Sequence, residues 1–317
     1  MPNKKKRSQG QAVLPGWRSW GGYVLLGLAV LVAILFLRSR PVRDGEPWKE
    51  FSGEKALAHV QALVDFGPRP AGSDAIKQAR AYLRQNLEAN GWQVVEQPFT
   101  DKTPRGPVEF VNLIARRPDA ADRLFLLGSH YDTKIFDSIR FVGANDGGSS
   151  TGALLEMARV LNLHPSLASQ IELVFFDGEE AYERFTQDDG LFGSRHFAEQ
   201  VRQAGQVRTY RGAIVWDMMG DRDLTITLPL DSPAKLAEGI FAAAEALQVR
   251  DHFSYADDKM IDDHVPLNAV GIPTIDLIDF EYPPWHTFQD TMDKLSAESL
   301  QTVGAVTLYY LVKRGLK

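Results

Sequence analysis

Four runs that look like buried strands each end in residues able to hold a metal ion or move a proton. "RLFLLGSHYD" delivers His130 and Asp132, and "IELVFFDGEE" delivers Glu179 and Glu180. "GAIVWDMMG" delivers Asp217, and "IPTIDLIDFEYPPWH" delivers His286 from the loop beyond its apolar run. A further carboxylate, Asp146, sits in "VGANDGGSSTGALLEMARVL", where Gly147 and Gly148 permit a tight turn and Ser149 to Thr151 can cap a following helix. Taken singly, each has an ordinary explanation. A His-x-Asp is common, paired Glu residues usually face water, and Asp146 could simply cap its helix. Their shared position decides the matter, because ligands in open α/β sheets bind beyond the carboxyl ends of the strands.

The chain has no cysteine. Thiolate zinc sites, disulfide staples and cysteine nucleophiles are thereby excluded, and a metal here must be held by His and carboxylate. Zinc takes such ligands at about 2.0–2.2 Å and, in catalytic sites, keeps one position open. A carboxylate beside it that is not a ligand can then act as general acid and base. Adjacent Glu179 and Glu180 suit that division, since neighbouring side chains at a strand-end turn point different ways.

Helical periodicity marks 54–66, 73–90, 150–163, 195–204, 232–247 and 297–313. Strands are expected at 92–99, 108–116, 123–129, 171–177, 212–217, 224–228 and 274–278. Their alternation predicts an α/β domain with a mixed, largely parallel central sheet flanked by helices on both faces. Neither an internal repeat nor a second linker interrupts it, so one catalytic domain is expected over 49–317.

The net charge of −6 hides an asymmetry. Residues 1–43 hold eight Lys/Arg and no Asp/Glu, leaving 27 basic against 41 acidic residues beyond them. A basic head (1–18) precedes an uncharged stretch at 19–37 that is close to the ~20 residues needed to cross a bilayer. Trp17, Trp20 and Tyr23 stand at its front edge, where interfacial aromatics belong. "RSRPVR" follows instead of a small-residue cleavage site. The reading is a single transmembrane anchor with a cytoplasmic N-terminus, a polar linker over 38–48, and an extracytoplasmic domain. "KKKR" has no aromatic interleaving or basic face behind it, so no nucleic-acid partner is expected.

The order His-x-Asp (130–132), Asp146, Glu179-Glu180, Asp217 and His286 resembles the zinc aminopeptidase-like superfamily, with "GPRPAGS" (67–73) and "VNLIARR" (111–117) similar to its upstream marks. Within it, "SHYDTK", "FFDGEEAYERFTQDDGLFGSRHFA", "DDHVPL" and "WHTFQD" resemble the glutaminyl-peptide cyclotransferase (glutaminyl cyclase) branch, and the likeness covers essentially all of 50–315. It implies a zinc aminopeptidase-like fold and one catalytic zinc on Asp146, Glu180 and His286, with a second ion possible at His130 and Asp217. Glu179 would be the proton shuttle, oriented by Asp262, with Asp217 in the same acidic network. Asp132 would fix the His130 imidazole, and Trp285 would wall the substrate pocket.

The implied reaction converts the N-terminal Gln of a peptide to pyroglutamate with release of ammonia. A zinc aminopeptidase with one or two ions is the alternative, since the same residues could direct water at the first peptide bond. A catalytically dead binding ectodomain is a third reading, opposed by the intact ligand set. The chain departs from the animal cyclases at Phe185, where they commonly carry Trp. It also has "PPWHT" for "EVWHT", and Ile261 before "DDH", where they tend to have a polar residue. His264 is expected to be structural and His196 a packing or surface residue. His59, His164 and His252 are expected at the surface, and Asp177 as a brace for its turn.

Overall fold

The computed structural model describes residues 45–317. The expected head and anchor, and the linker up to residue 44, lie outside them. Among the described residues no helix is long and apolar enough to cross a membrane. The folded unit begins slightly before the expected boundary at 49. Pro47 and Trp48 are buried in a short 3-10 turn, and the Trp48 ring packs edge-on to Tyr309 at 4.8 Å.

The eight strands are β1 (Gln93–Thr103), β2 (Gly106–Arg116), β3 (Leu124–His130), β4 (Ile171–Phe176), β5 (Tyr210–Asp217), β6 (Ile226–Leu228), β7 (Phe253–Tyr255) and β8 (Thr274–Ile278). They form one sheet in the order β1-β2-β4-β3-β5-β8-β6-β7. The central block β4-β3-β5-β8 is parallel, whereas β1, β2 and the β6–β8 contact pair antiparallel. The mixed sheet therefore has its parallel core where the chemistry-bearing runs were expected.

Two-sided burial explains the apolar runs. Along β3, Phe125 and Leu127 face one core with Leu154, Met157 and Leu161 of the Gly148–Asn162 helix. Leu124 and Leu126 face the other, with Phe197 and Val201 of the Phe192–Gln203 helix. Successive strand side chains point to opposite faces, so a strand covered on both sides must be apolar throughout. Polar residues then gather where the strands end, with Glu172 in β4 and Asp276 in β8 as buried exceptions.

The chain leaves β3, crosses through the Gly148–Asn162 helix to β4 on one side, then passes back over β3 through the Phe192–Gln203 helix to β5 on the other. Connections diverging from a central strand open a crevice at its carboxyl end.

Several expectations need correction. The first two strands make a longer hairpin, with all 11 residues of each paired. The strand expected from 224 begins at Ile226. Strand β7 and the Pro-containing helix His264–Val270 were not expected. His164 is buried, its Nε2 3.7 Å from Glu50 Oε1. His59 is half-buried, its Nδ1 2.6 Å from the Tyr82 hydroxyl. His252 is exposed as expected, and His196 stacks on Phe99 with ring centres 4.1 Å apart.

Candidate metal centre and substrate pocket

The crevice gathers the expected residues from four strand ends. His130 is the last residue of β3 and Asp217 the last of β5. Glu179 and Glu180 follow β4 after a turn at Gly178, whose φ of 72° suits a residue without a Cβ. Asp146 is followed by Gly147 at φ 69°, where an added Cβ would stand 2.8 Å from the His130 ring. Glycine is therefore required for the Asp146 loop to close over His130. His286 takes φ 55° without being glycine or asparagine, a conformation that costs free energy and gathers at functional sites.

His286 Nε2 lies 3.3 Å from Asp146 Oδ2 and 3.2 Å from Glu180 Oε2. Both carboxylate oxygens are sealed from solvent, yet neither has a hydrogen-bond partner. An unpartnered buried charge is costly. Two ligands sharing a tetrahedral zinc at ~2.0–2.1 Å would stand about 3.3 Å apart. Donor type, spacing and the orphaned oxygens all fit a divalent cation.

A second group shares Asp146: His130 Nε2 is 3.1 Å from Asp217 Oδ1 and 3.4 Å from Asp146 Oδ1. It differs in being satisfied internally. Asp217 Oδ1 takes the Met218 N–H at 2.7 Å and pairs with His130, whose Nδ1 faces Asp132 Oδ1 at 3.4 Å. Burial pulls the His130 imidazole down, but Asp217, Asp132 and Asp146 outweigh it and hold it well above its usual value.

Glu179 is buried beside the first group. Desolvation pushes it well above the usual carboxylate range; His130 opposes this, while Asp262, Glu180 and Asp263 add to it. Burial also lifts Glu180 to about 7, although His286 and Lys134 pull it back. Asp262 reaches Glu179 through its charge, while its own Oδ1 accepts the N–H of Asp263. Asp132 does more than face His130: it also accepts the backbone N–H groups of Glu179 and Glu180, at 3.1 and 3.3 Å. Asp177 braces its turn as expected, taking the Val111 N–H at 2.8 Å. His264 is buried, Nδ1 3.4 Å from Asp276 Oδ2.

Sequence reasoning passed over several residues of the site. Asp290 accepts from the N–H groups of Asn145 and Asp146 and from the Tyr282 hydroxyl, and so fixes the loop bearing Asp146. It lies four residues after His286, inside the "WHTFQD" segment. Arg69, from "GPRPAGS", is fully buried and donates to the carbonyls of Tyr131, Val142 and Gly143, tying the end of β3 to the Asp146 loop. Asp276 is buried near Asp262, with His264 Nδ1 3.4 Å from its Oδ2.

A cavity of about 260 Å³ opens onto this centre, lined by Asp146, Glu179, Glu180, Asp217, Asp262 and His286 on its polar side. Lys259 adds a cation, and Met218, Phe185, Met260, Ile261, Ile278, Phe280 and Trp285 line the rest. Pockets for drug-sized ligands begin near ~300 Å³, so this one is the size for a single residue of a chain. Trp285 stacks on His286 with centroids 4.0 Å apart.

The family model described as peptidase family M28 matches residues 112–311. A glutaminyl cyclase from an Acidobacteriales bacterium superposes with a TM-score of 0.77 at 34% identity, covering 83% of this chain and 94% of that one. A glutaminyl-peptide cyclotransferase of Drosophila melanogaster is 29% identical over 289 residues, 82% of each chain. A Zn-dependent exopeptidase from Parabacteroides distasonis superposes with a TM-score of 0.76 at 28% identity, covering 84% of this chain and 99% of that one. The chain belongs to peptidase family M28, within its glutaminyl cyclase branch.

Proposed function

We propose that this protein is a zinc-dependent glutaminyl-peptide cyclotransferase, converting the N-terminal Gln of peptides to pyroglutamate with release of ammonia. The observation that carries the reading is the juxtaposition, in one residue-sized pocket, of a cation-shaped donor set with a buried carboxylate outside that set. Asp146, Glu180 and His286 would hold the ion. When bound, zinc supplies a Lewis acid for the γ-amide carbonyl of the substrate.

The chain's own residues do the rest. The acidic lining draws the α-ammonium to the pocket floor, where it gives up one proton to solvent and reacts as the neutral amine. Glu179 takes a proton from that amine as its nitrogen forms a bond to the γ-carbonyl carbon. The same carboxyl returns the proton to the departing amide nitrogen as the C–N bond breaks, and ammonia leaves. A single group that accepts and then donates must sit within reach of both nitrogens, which a five-membered ring closure arranges. Asp132 holds Glu179 through its backbone, and Asp262 and Asp217 supply the charge behind it. Trp285 and Phe185 wall off the side chain and limit water.

Hydrolysis of the first peptide bond is the alternative, favoured by the likeness to an exopeptidase. Against a two-ion centre stands the contrast between the donor sets, since the His130 group is already hydrogen-bonded while the His286 group holds orphaned oxygens. The uncharged stretch 19–37 would hold the enzyme at a membrane with its catalytic domain outside the cytoplasm.

The test is to incubate the purified protein with a Gln-initiated and a Leu-initiated peptide and to weigh both. Loss of ammonia from the first alone, with one zinc per chain, is expected. Shortening of either peptide would refute cyclisation in favour of the peptidase.

A further inference from the structure

The chain enters the described residues at the end of the sheet opposite the pocket. Trp48, in the turn Pro47–Lys49, packs on Tyr309 at the close of the helix Ala297–Tyr310. Tyr310 lies edge-on to Phe125, at the amino end of β3, with ring centres 5.9 Å apart. The carboxyl ends of β3 and β5, His130 and Asp217, stand in the metal centre. From Arg211 to Asp217, β5 rises by about 20 Å.

Basic side chains collect at the amino end. Lys313, Arg314 and Lys317 follow the helix, and all three are exposed. Lys313 Nζ sits 5.0 Å from the centre of the Trp48 ring and 6.0 Å from that of Tyr309, so the cationic segment lies against the entry turn. Arg211, near the start of β5, donates to the Leu316 carbonyl at 3.1 Å and brings a fourth cation beside them. None of the four forms an ion pair among the described residues. The two acids flanking the entry turn are already matched: Glu46 pairs with Lys49, and Glu50 Oε1 lies 3.7 Å from His164 Nε2.

Chain connectivity says what such a face meets. Only residues 38–44 separate the uncharged stretch 19–37 from Gly45. Fully extended, they reach at most about 28 Å, so a bilayer holding that stretch lies within that distance of the entry turn. Anionic lipid headgroups attract basic side chains held this close to a membrane anchor, and the attraction fades within a Debye length.

We infer that Arg211, Lys313, Arg314 and Lys317 form a contact surface for anionic lipid headgroups, which turns the catalytic pocket away from the bilayer and toward soluble peptides. The inference rests on reading 19–37 as an anchor and is independent of the reaction the pocket performs. The test places the full-length protein in vesicles of phosphatidylcholine alone and of an equimolar mixture with phosphatidylglycerol. A membrane-impermeant reagent then acylates exposed lysines, and mass spectrometry reads Lys49, Lys313 and Lys317 against Lys259 at the pocket. With phosphatidylglycerol the three signals should fall roughly five-fold relative to Lys259, and concentrated NaCl should restore them. In phosphatidylcholine they should match the protein in neutral detergent. Replacing Lys313, Arg314 and Lys317 together by Gln should return Lys49 to its detergent level in the anionic vesicles, and an unchanged melting temperature would separate that from misfolding. An equal fall in both vesicles makes the tether responsible and overturns recognition of lipid charge. Unaltered labelling in both overturns the surface while leaving the anchor standing. Failure to float with phosphatidylcholine vesicles removes the anchor, and the inference with it.

Discussion

Strand β4 carries a buried carboxylate near its start and three just past its end, and the protein treats Glu172 and Glu180 in opposite ways. Glu172, at the amino end, is fully buried. It is paired with Arg116, a contact close enough for the guanidinium Nε to donate, and it takes the Tyr210 hydroxyl at 2.6 Å. Glu180, at the carboxyl end, is also buried, and its Oε1 takes the Lys134 N–H at 3.1 Å. Its Oε2 has no hydrogen-bond donor, with His286 at 3.2 Å and the Lys134 ammonium no nearer than 3.8 Å. Burial raises the pKa of both. The carboxylate serving the fold is hydrogen-bonded on both oxygens, by a guanidinium and a hydroxyl. One serving chemistry is left incomplete, so that a ligand completes it. The distinction lies in partners rather than in depth.

The largest effect that should separate the two ends comes from Glu179, the pocket carboxylate read as proton shuttle. Glu179→Gln keeps the side chain's shape and removes its ability to take up the amine proton. Turnover should fall by roughly 10²–10⁴, with zinc retained and the melting temperature unchanged or raised. Metal analysis beside ammonia release checks this; loss of the ion would make Glu179 a ligand and not a shuttle.

The amino end should answer in the opposite currency. Glu172→Leu leaves the Tyr210 hydroxyl and Arg116 without their acceptor. Arg116 is 41% exposed and can turn to water, so the cost falls mainly on the hydroxyl, at about 2–3 kcal/mol. Denaturant unfolding should record that loss while kcat of the folded enzyme stays put. A fall in kcat at constant stability would show that the two ends are coupled and that the contrast between them is too sharp.

Much of the carboxyl end was legible in the sequence because a strand buried on both faces places most of its polar groups where it stops. His130, Asp217 and the Glu179-Glu180 pair follow from that constraint, as does the parallel order around β3. The braces were not legible. Asp290 looks like any loop aspartate until the Asn145 and Asp146 N–H groups are seen beside it, 144 residues and more away along the chain. Asp276 sits in a run whose burial depends on how the His264–Val270 helix packs, and Pro266 obscured the periodicity of that helix. Strand β7 escaped because two of its three residues are exposed and only Phe253 is buried. His164 was read as a surface residue because nothing in its neighbours along the chain reveals that the fold encloses it.

Asp177 provides the finest test, because it falls between the two classes. One oxygen takes the Val111 N–H, as a structural carboxylate would, while Oδ1 has no hydrogen-bond partner. Desolvation, with repulsion from Asp132, pushes its pKa up to about 8. In the unfolded chain it would titrate near the ordinary ~3.9. Between those values the folded state binds more protons than the unfolded one, so stability falls as pH rises, by at most about 1.4 kcal/mol per unit. Asparagine can keep its carbonyl oxygen for the Val111 N–H and turn its amide toward the position of Oδ1, with no proton to lose. Asp177→Asn should therefore match the wild type near pH 4 and gain on it steadily toward pH 8, by about 1 kcal/mol between pH 6 and 7. Unfolding curves that run parallel across that range would mean Asp177 is ionised in the native protein. An unpartnered oxygen would then not suffice to mark a carboxyl that holds its proton, and Glu180 would need its ion rather than its isolation to explain it.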